Sequence, residues 1–181
     1  MDSLRGQLLV AGPSLQDPNF ARTVVLIAEH NDEGAMGVVL NRESELDVAE
    51  AAPALRELVD PGERVHAGGP VQPTAVVIVA EFEDSQHAAT LVLETVGFVS
   101  ADTDLDLLAE EVDRVRVFAG LAGWGPGQLE SELERDDWFV EPATVEDVFC
   151  DDADGLWSSV LERKGGQYAL VARMPLDPSV N

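Results

Sequence analysis

One glycine-rich stretch organises this chain of 181 residues: RVFAGLAGWGPGQLE, at positions 116–130. Its first residues, mostly apolar, favour a strand, and four glycines then surround a single tryptophan, Trp124. Pro126 precedes a run that places Leu129 on one face, which is typical of a helix that begins here. The stretch therefore predicts a strand, a tight turn and a helix, with the indole of Trp124 held in place by the shape of the backbone.

Glycines ahead of a helix can also bind phosphate, because backbone N–H groups at a helix N-terminus attract anions. The spacing GxxGxGxG from Gly120 to Gly127 matches neither the dinucleotide-binding pattern nor the P-loop. No lysine follows it, and Gln128 and Glu130 occupy positions where a phosphate site favours basic groups. We therefore interpret the glycines as close packing of a strand against a helix, with Trp124 between them, and predict no cofactor.

The rest of the chain has the pattern of strands joined by short turns, with a few helices. Apolar runs bounded by turn residues predict strands over 6–11, 20–30, 35–41, 64–67, 74–82, 89–99 and 168–172. Helical spacing predicts helices over 46–59, where Pro53 interrupts the pattern, from about residue 102 to 112, and over 156–164. Residues 31–34 have the composition of a hairpin turn, and Thr144 with Asp147 that of a capping box. No segment resembles a linker, so the pattern predicts one domain over residues 1–181.

Acidic side chains outnumber basic ones by 35 to 11, which gives a formal charge of -24 and a sequence pI near 4.1. Such a surface repels phosphate backbones and anionic lipids, so direct nucleic-acid binding is disfavoured. Cys150 is the one cysteine, which excludes an intrachain disulfide and fits a reducing compartment. The first residues lack a signal-peptide pattern, and no apolar run approaches the length of a membrane span. We expect an acidic, soluble, cytoplasmic protein without a membrane partner.

No pattern in the sequence points to a metal site or a catalytic residue. The cluster from His30 to Glu33 holds metal-ligand types, but the same residues favour a turn for backbone reasons. The segment around Gly155 fails as a calcium loop, because Cys150 and Leu161 would occupy positions that need carboxylates. The three histidines lack zinc spacing, and no GxSxG motif is present. We predict no metal, while an enzyme whose catalytic groups come from distant segments stays open.

Arg22, Asn41 and Arg42 stand beside strands that are otherwise apolar. In one interpretation, Arg22 pairs with a carboxylate and Asn41-Arg42 closes the end of a strand. In the other, these three side chains converge with His30 and the glycine stretch in a small polar pocket. That pocket would be a place for a small anion on a surface that otherwise repels one.

Several blocks of this sequence resemble the YqgE/AlgH family, and they follow one another in order over essentially the whole chain. They are Leu8–Ala11, Asp17–Phe20 with Arg22–Val25, Glu29-His30, Gly34–Arg42, Gly68–Val71, Gly120–Leu129, Trp138, Leu156-Trp157 and the closing Asp177-Pro178-Ser179. The resemblance implies an α+β fold in a single domain, with a curved, mostly antiparallel sheet that forms a pseudo-barrel and helices packed outside it. It implies no established activity, cofactor or catalytic residue, although some members carry the label of transcriptional regulator. Leu121 departs from the pattern, since many relatives have an aromatic residue there.

Three functions remain open on this basis. The preferred hypothesis is a non-catalytic regulatory or interaction protein that contacts a protein or a small-anion ligand. Its candidate contact residues are Arg22, His30, Asn41, Arg42, Gly123, Trp124 and Gln128. It predicts that Trp124→Ala abolishes partner capture and leaves the fold intact. The alternatives are a transcriptional regulator that contacts DNA directly, which needs a hidden basic face, and an enzyme with a dispersed polar site.

Overall fold

The computed structural model describes residues 2–84, 86, 88, 90–99 and 102–175, and these residues contain ten strands. Their bounds are β1 (Gln7–Ala11), β2 (Val24–Asn31), β3 (Gly34–Val39), β4 (Glu43–Asp47), β5 (Arg64–Ala67), β6 (Val71–Phe82), β7 (Thr90–Leu93), β8 (Val96–Phe98), β9 (Val112–Trp124) and β10 (Trp138–Pro142). The predicted hairpin turn at residues 31–34 joins β2 to β3. The strand predicted over 89–99 divides into β7 and β8, because the chain turns at Glu94, whose φ is 45°.

Short helices connect and flank the strands. They are α1 (Val48–Ala51), α2 (Leu105–Glu111), α3 (Gln128–Glu134), α4 (Val145–Val148), α5 (Ala153–Lys164) and α6 (Gln167–Val171), with a 3₁₀ helix over Pro53–Leu58. Pro53 begins the 3₁₀ helix, as expected of a proline that stops an α-helix, and the predicted capping box at Thr144 is present. The strand predicted over 168–172 is wrong. The chain reverses at Gly165 and Gly166, which both have positive φ, and it then packs on α5 as the helix α6.

The strands form one mostly antiparallel sheet in the order β10-β1-β2-β3-β9-β6-β8-β7, with β5 parallel to β9 and β4 paired to β5. The sheet curves until the segment before β1 meets β7, where the Arg5 guanidinium donates to the Leu91 carbonyl. Within the described residues no ladder of hydrogen bonds joins β7 to β10, so the sheet stays open. The predicted α+β class with a curved, mostly antiparallel sheet is confirmed, and the curvature stops short of a closed barrel.

Basic side chains cover the outer edges of this open sheet. Lys164 Nζ donates to the Val140 carbonyl of β10 at 2.7 Å, and Arg163 donates to the Pro142 carbonyl at 3.2 Å. At the other edge, Arg5 covers the backbone of β7. Because an uncovered edge is a template for pairing with another chain, these contacts disfavour edge-to-edge association.

Buried apolar side chains form three clusters, and β9 contributes to all of them. The first cluster packs one face of the sheet against α5 and includes Phe118 and Trp157. The second packs the opposite face of β1, β2 and β3 against α3 and includes Trp124. The third, beneath α1, the 3₁₀ helix and α2, includes Val117 and Phe82. The strand that begins the glycine-rich stretch is therefore the centre of the fold.

Two backbone segments cross in the middle of β9, and glycines make the crossing possible. A Cβ on Gly120, whose φ is 82°, would lie well under 3.0 Å from the Gly69 carbonyl oxygen. A Cβ on Gly69 would lie equally close to the Leu121 carbonyl oxygen. Side chains cannot occupy such positions, so only glycine fits. The prediction that the glycines allow close packing is correct for Gly120. The segment that packs against it is the connection from β5 to β6, and not a helix as predicted.

Candidate functional site

The predicted contact residues lie in two groups at opposite ends of the β2–β3 hairpin. The open end holds Arg22, Asn41 and Arg42. The turn end holds His30, Gly123, Trp124 and Gln128. A strand rises about 3.3 Å per residue, so β2 separates the two groups by roughly 20 Å. The predicted convergence of Arg22, His30, Asn41 and Arg42 with the glycine stretch in one pocket is therefore wrong.

Polar side chains at the open end hold the loop before β2 against the sheet. Asn41 Oδ1 accepts the Val24 N–H at 2.9 Å, and Asn41 Nδ2 donates to the Arg22 carbonyl at 2.9 Å. Arg42 donates to the Ala21 carbonyl, also at 2.9 Å. These bonds satisfy backbone groups where the ladder between β2 and β3 ends. They support the interpretation that Asn41-Arg42 closes the end of a strand.

Arg22 is held by an aromatic ring and a carbonyl, and the expected pairing with a carboxylate is not among its described contacts. Its guanidinium carbon lies 4.5 Å from the centre of the Trp157 ring, and one of its N–H groups donates to the Met174 carbonyl. The Arg22 backbone has a φ of 57°, a conformation that non-glycine residues adopt only when their surroundings impose it. Arg22 therefore connects the open end of the hairpin to α5 and to the segment after α6.

His30, at the turn end, has both ring nitrogens engaged within the chain. Nδ1 accepts the Leu4 N–H at 3.0 Å, so the proton of the neutral ring lies on Nε2, which donates to Glu130 Oε1 at 2.6 Å. This hydrogen bond holds the pKa of the Glu130 carboxyl below its usual value. His30 thereby ties α3 and the segment before β1 to the hairpin turn. Among the described residues, no three side chains of metal-ligating type come together as a metal site.

The indole of Trp124 belongs to the core and not to the surface. Trp124 is 6% exposed, and its N–H donates to Glu132 Oε1 at 3.3 Å. The same oxygen accepts the N–H of Trp138 at 3.0 Å, and the two indoles meet edge to face with centroids 5.9 Å apart. Phe20 packs on both rings. Trp124→Ala therefore removes core packing, so we expect it to lower the stability of the fold as well as any partner capture.

Gln128 closes the turn between β9 and α3. Its Oε1 accepts the Gly125 N–H at 3.0 Å, and its own N–H donates to the Gly125 carbonyl at 3.1 Å. Gly127, just before α3, has a φ of 74° that favours glycine. The Gly125 N–H that a phosphate would need already has a partner, and Gly127 is the glycine that the conformation of this turn requires.

Two depressions flank the hairpin turn, and Asn31 borders both of them. One has a volume of about 210 Å³ and is lined by Glu29, Asn31, Glu33, Gly34, Ala35, Met36 and Trp124. The other has a volume of about 440 Å³ and is lined by Ser3, His30, Asn31, Asp32, Gly127 and Glu130. Carboxylates line both depressions and no lysine or arginine does, so this end of the molecule disfavours the small anion that the sequence suggested as a ligand.

Gly123 and Gly125 differ from the other glycines of the stretch, because nothing in the described chain requires them to be glycine. Neither has a positive φ. A Cβ on Gly123 would meet only Val71 Cγ2, at 3.6 Å, and one on Gly125 only Gln128 Oε1, at 3.9 Å, which are ordinary contact distances. Both glycines are exposed beside the smaller depression. We call Glu29, Asn31, Glu33, Met36, Gly123 and Gly125 together the turn-end surface.

His66 and Arg116 form a buried polar cluster that was not predicted from the sequence. His66 on β5 is 1% exposed, and its Nδ1 lies 3.3 Å from the Arg64 carbonyl oxygen, while Nε2 has no hydrogen-bond partner among the described residues. Arg116 on β9 is also buried, with its Nε 3.3 Å from Glu63 Oε1 and its Nη1 donating to the Cys150 carbonyl at 2.6 Å. His66 and Arg116 are far apart in the sequence, and neither belongs to a local motif that would predict a contact between them. Only the parallel pairing of β5 with β9 brings them together.

We expect His66 to make the stability of the protein depend on pH. Burial, assisted by the nearby charge of Arg116, lowers the pKa of His66 from 6.5 to about 4. Between these values the unfolded chain binds a proton that the folded chain does not, so stability falls as the pH falls. Between about pH 7 and about pH 5, we expect this effect to lower the free energy of unfolding by about 2 kcal/mol.

Urea unfolding of the wild type and of His66→Phe at both pH values measures this contribution. Other groups titrate in both proteins, so the difference between their pH dependences isolates His66. Parallel pH dependences would show that His66 does not titrate differently in the folded and unfolded states.

Basic side chains do not form an exposed patch in the described part of the chain. Every lysine and arginine side chain but Arg173 contacts a carbonyl or carboxylate group of the same chain. The most engaged is Arg114, which binds the carboxylates of Glu81 and Glu146 together. These contacts add to the argument against a face that binds a phosphate backbone. None of the described helices combines the length and the apolar character that crossing a bilayer requires.

The comparisons with known proteins agree on one family. The UPF0301 protein of Thermobifida fusca is 45% identical to this chain over 190 residues, which cover 99% of this chain and 96% of that protein. The UPF0301 protein CT0663 of Chlorobaculum tepidum is 38% identical over 180 residues, with 97% and 95% covered.

Two solved structures have the same fold. The crystal structure of protein DIP2367 from Corynebacterium diphtheriae matches with a TM-score of 0.85 and 32% identity, covering 92% of this chain and 90% of that one. The solution structure of the AlgH protein from Pseudomonas aeruginosa matches with a TM-score of 0.73 and 31% identity, covering 96% and 95%. A family model described as AlgH-like matches residues 8–169. The chain therefore belongs to the AlgH-like family, as the blocks around Asn41-Arg42 and Trp124 indicated.

Proposed function

We propose that this protein works by binding a partner protein through the turn-end surface. The observation that carries the proposal is the pair of exposed glycines, Gly123 and Gly125. Gly123 lies within β9, where a glycine lowers stability by about 0.5–1 kcal/mol relative to alanine, because the unfolded chain gains freedom and no side chain packs. Gly125 follows directly in the turn. Nothing within the described chain requires either glycine, so their bare backbone supports close approach by another molecule.

The neighbouring side chains support binding more than catalysis. Both nitrogens of His30 are engaged by Leu4 and Glu130, so this imidazole offers no free acceptor to a substrate. The indole of Trp124 is buried, and it supports the surface from below through its packing on Trp138 and Phe20. The contact residues predicted from the sequence at this end of the hairpin therefore have two different roles. His30, Trp124 and Gln128 build the platform, and the turn-end surface presents the contacts.

The test replaces Gly123 with leucine, which projects a side chain outward from β9 into the space that a partner would occupy. The immobilised wild type and Gly123→Leu are each incubated with a lysate of the source organism, and the captured proteins are quantified by mass spectrometry. We expect the capture of specific partners to fall at least about tenfold, because one blocking side chain at the centre of an interface costs more than 1.4 kcal/mol.

Ala54→Leu is the matched control, since it adds the same apolar side chain to the exposed 3₁₀ helix without changing the charge. Thermal unfolding of both variants verifies that they are folded. If Gly123→Leu captures the same proteins in the same amounts as the wild type and Ala54→Leu, the turn-end surface is not the contact surface.

A further inference from the structure

We infer that the partner of the turn-end surface is a protein segment that carries lysine or arginine next to an apolar side chain. This inference rests on the proposed function and names the chemistry of its partner. An apolar strip on the sheet and a rim of carboxylates beside it carry the inference.

The apolar strip runs across β3, β9 and the start of β6. Met36 pairs with Gly123 in the register of β3 and β9, and Val71 Cγ2 lies 3.6 Å from the position of a Cβ on Gly123. Met36 is 37% exposed and Val71 is 43% exposed, although both lie within strands of the central sheet. With no side chain on Gly123 between them, the strip has a central gap that an apolar side chain of a partner can fill.

Carboxylates border this strip on the side of the hairpin turn. Glu29 pairs with Met36 in the β2–β3 register and is exposed, and Glu33 lines the same depression. Asn31 holds the turn, because its Oδ1 accepts the Glu33 N–H at 2.8 Å and its Nδ2 donates to Glu29 Oε1 at 3.3 Å. No lysine or arginine lines either depression, and His30, which lines the larger one, is already bonded to Glu130.

Charge decides among the possible occupants of the strip. A second copy of this chain also carries a formal charge of -24, and an anionic ligand would meet the same repulsion. A cationic segment is attracted by the whole molecule and is paired locally by Glu29 and Glu33, while its apolar side chain covers Met36 and Val71. The surface therefore fits a basic, partly apolar peptide.

Methyl NMR on methionine gives a direct test with the full-length protein. The chain has three methionines, and Met174 is exposed to the same extent as Met36, 37%, but it lies at the open end of the hairpin beside Arg22. The probes are acetylated peptides of alternating leucine with arginine, with glutamine or with glutamate. We expect the arginine peptide to give a saturable shift of the Met36 methyl signal, with the Met174 signal unchanged.

The dependence on charge separates this inference from its alternatives. Raising NaCl from about 50 mM to about 300 mM is expected to weaken binding about tenfold, and Glu29→Gln with Glu33→Gln to weaken it about fivefold. Gly123→Leu is expected to remove the Met36 shift. Equal binding of the glutamine or glutamate peptide would overturn the cationic partner while leaving the proposed function in place. Absence of a Met36 shift, or equal shifts of Met36 and Met174, would also overturn the inference of a cationic partner. The capture experiment with the lysate tests the proposed function independently of these peptides.

Discussion

Gly120→Ala is expected to lower the free energy of unfolding by at least about 3 kcal/mol. The alanine Cβ would lie well under 3.0 Å from the carbonyl oxygen of Gly69, and the 82° φ of this position is one that alanine rarely adopts. The three nearest atoms, which belong to Gly69, Val71 and Pro73, are all backbone atoms, so no flexible side chain can move aside. Relief of the clash requires the connection into β6 to shift away from β9, which also disturbs the parallel pairing with β5.

Gly123→Ala, three residues further along the same strand, is the matched control for this prediction. Its Cβ has only an ordinary contact with Val71, so we expect Gly123→Ala to be at least as stable as the wild type, by up to about 1 kcal/mol. Urea unfolding followed by circular dichroism measures both variants. Similar stabilities for the two alanine variants would mean that the backbone crossing at Gly120 and Gly69 is not as tight as the structure shows.

Trp124→Ala is expected to cost about 3–5 kcal/mol of folding stability, which is the range for truncating a buried aromatic side chain. The indole packs against Trp138, Phe20 and the second apolar cluster, and its removal leaves a cavity beneath α3. It also removes one of the two N–H groups that Glu132 accepts. If Trp124→Ala loses partner capture, the loss would therefore reflect the disturbed packing beneath the turn-end surface as well as any direct contact of Trp124.

Trp124→Phe separates these contributions, because it keeps an aromatic ring in the cluster and loses the indole N–H. We expect its unfolding free energy to lie between those of the wild type and Trp124→Ala. Chemical denaturation with the fluorescence of the remaining tryptophans as readout compares the three proteins. A stability of Trp124→Ala close to that of the wild type would show that the indole contributes little to the core.

Of the turn-end surface, only Gly123 was among the contact residues predicted from the sequence, although the local turns around it could be predicted. The hairpin turn at residues 31–34 and the capping box at Thr144 depend on side chains a few residues apart, so local chemistry was sufficient to predict them. Arg22 and His30 are also close in sequence, yet β2 holds them at opposite ends of one strand. Whether an arginine near apolar strands contacts a carboxylate or the Trp157 ring depends on how α5 packs.

Sequence alone was sufficient for the acidic composition and the local turns, because composition and short-range spacing determine these properties. The family followed from the blocks that resemble its members, and the α+β class was what that resemblance implied. Tertiary structure decided which distant residues meet. It brings Gly69 against Gly120, places His66 beside Arg116, buries Trp124, and turns an apolar segment after Gly166 into α6 instead of a last strand. The physical reason is that sheet order and helix packing follow from burying the whole apolar surface at once, and no single segment encodes that arrangement.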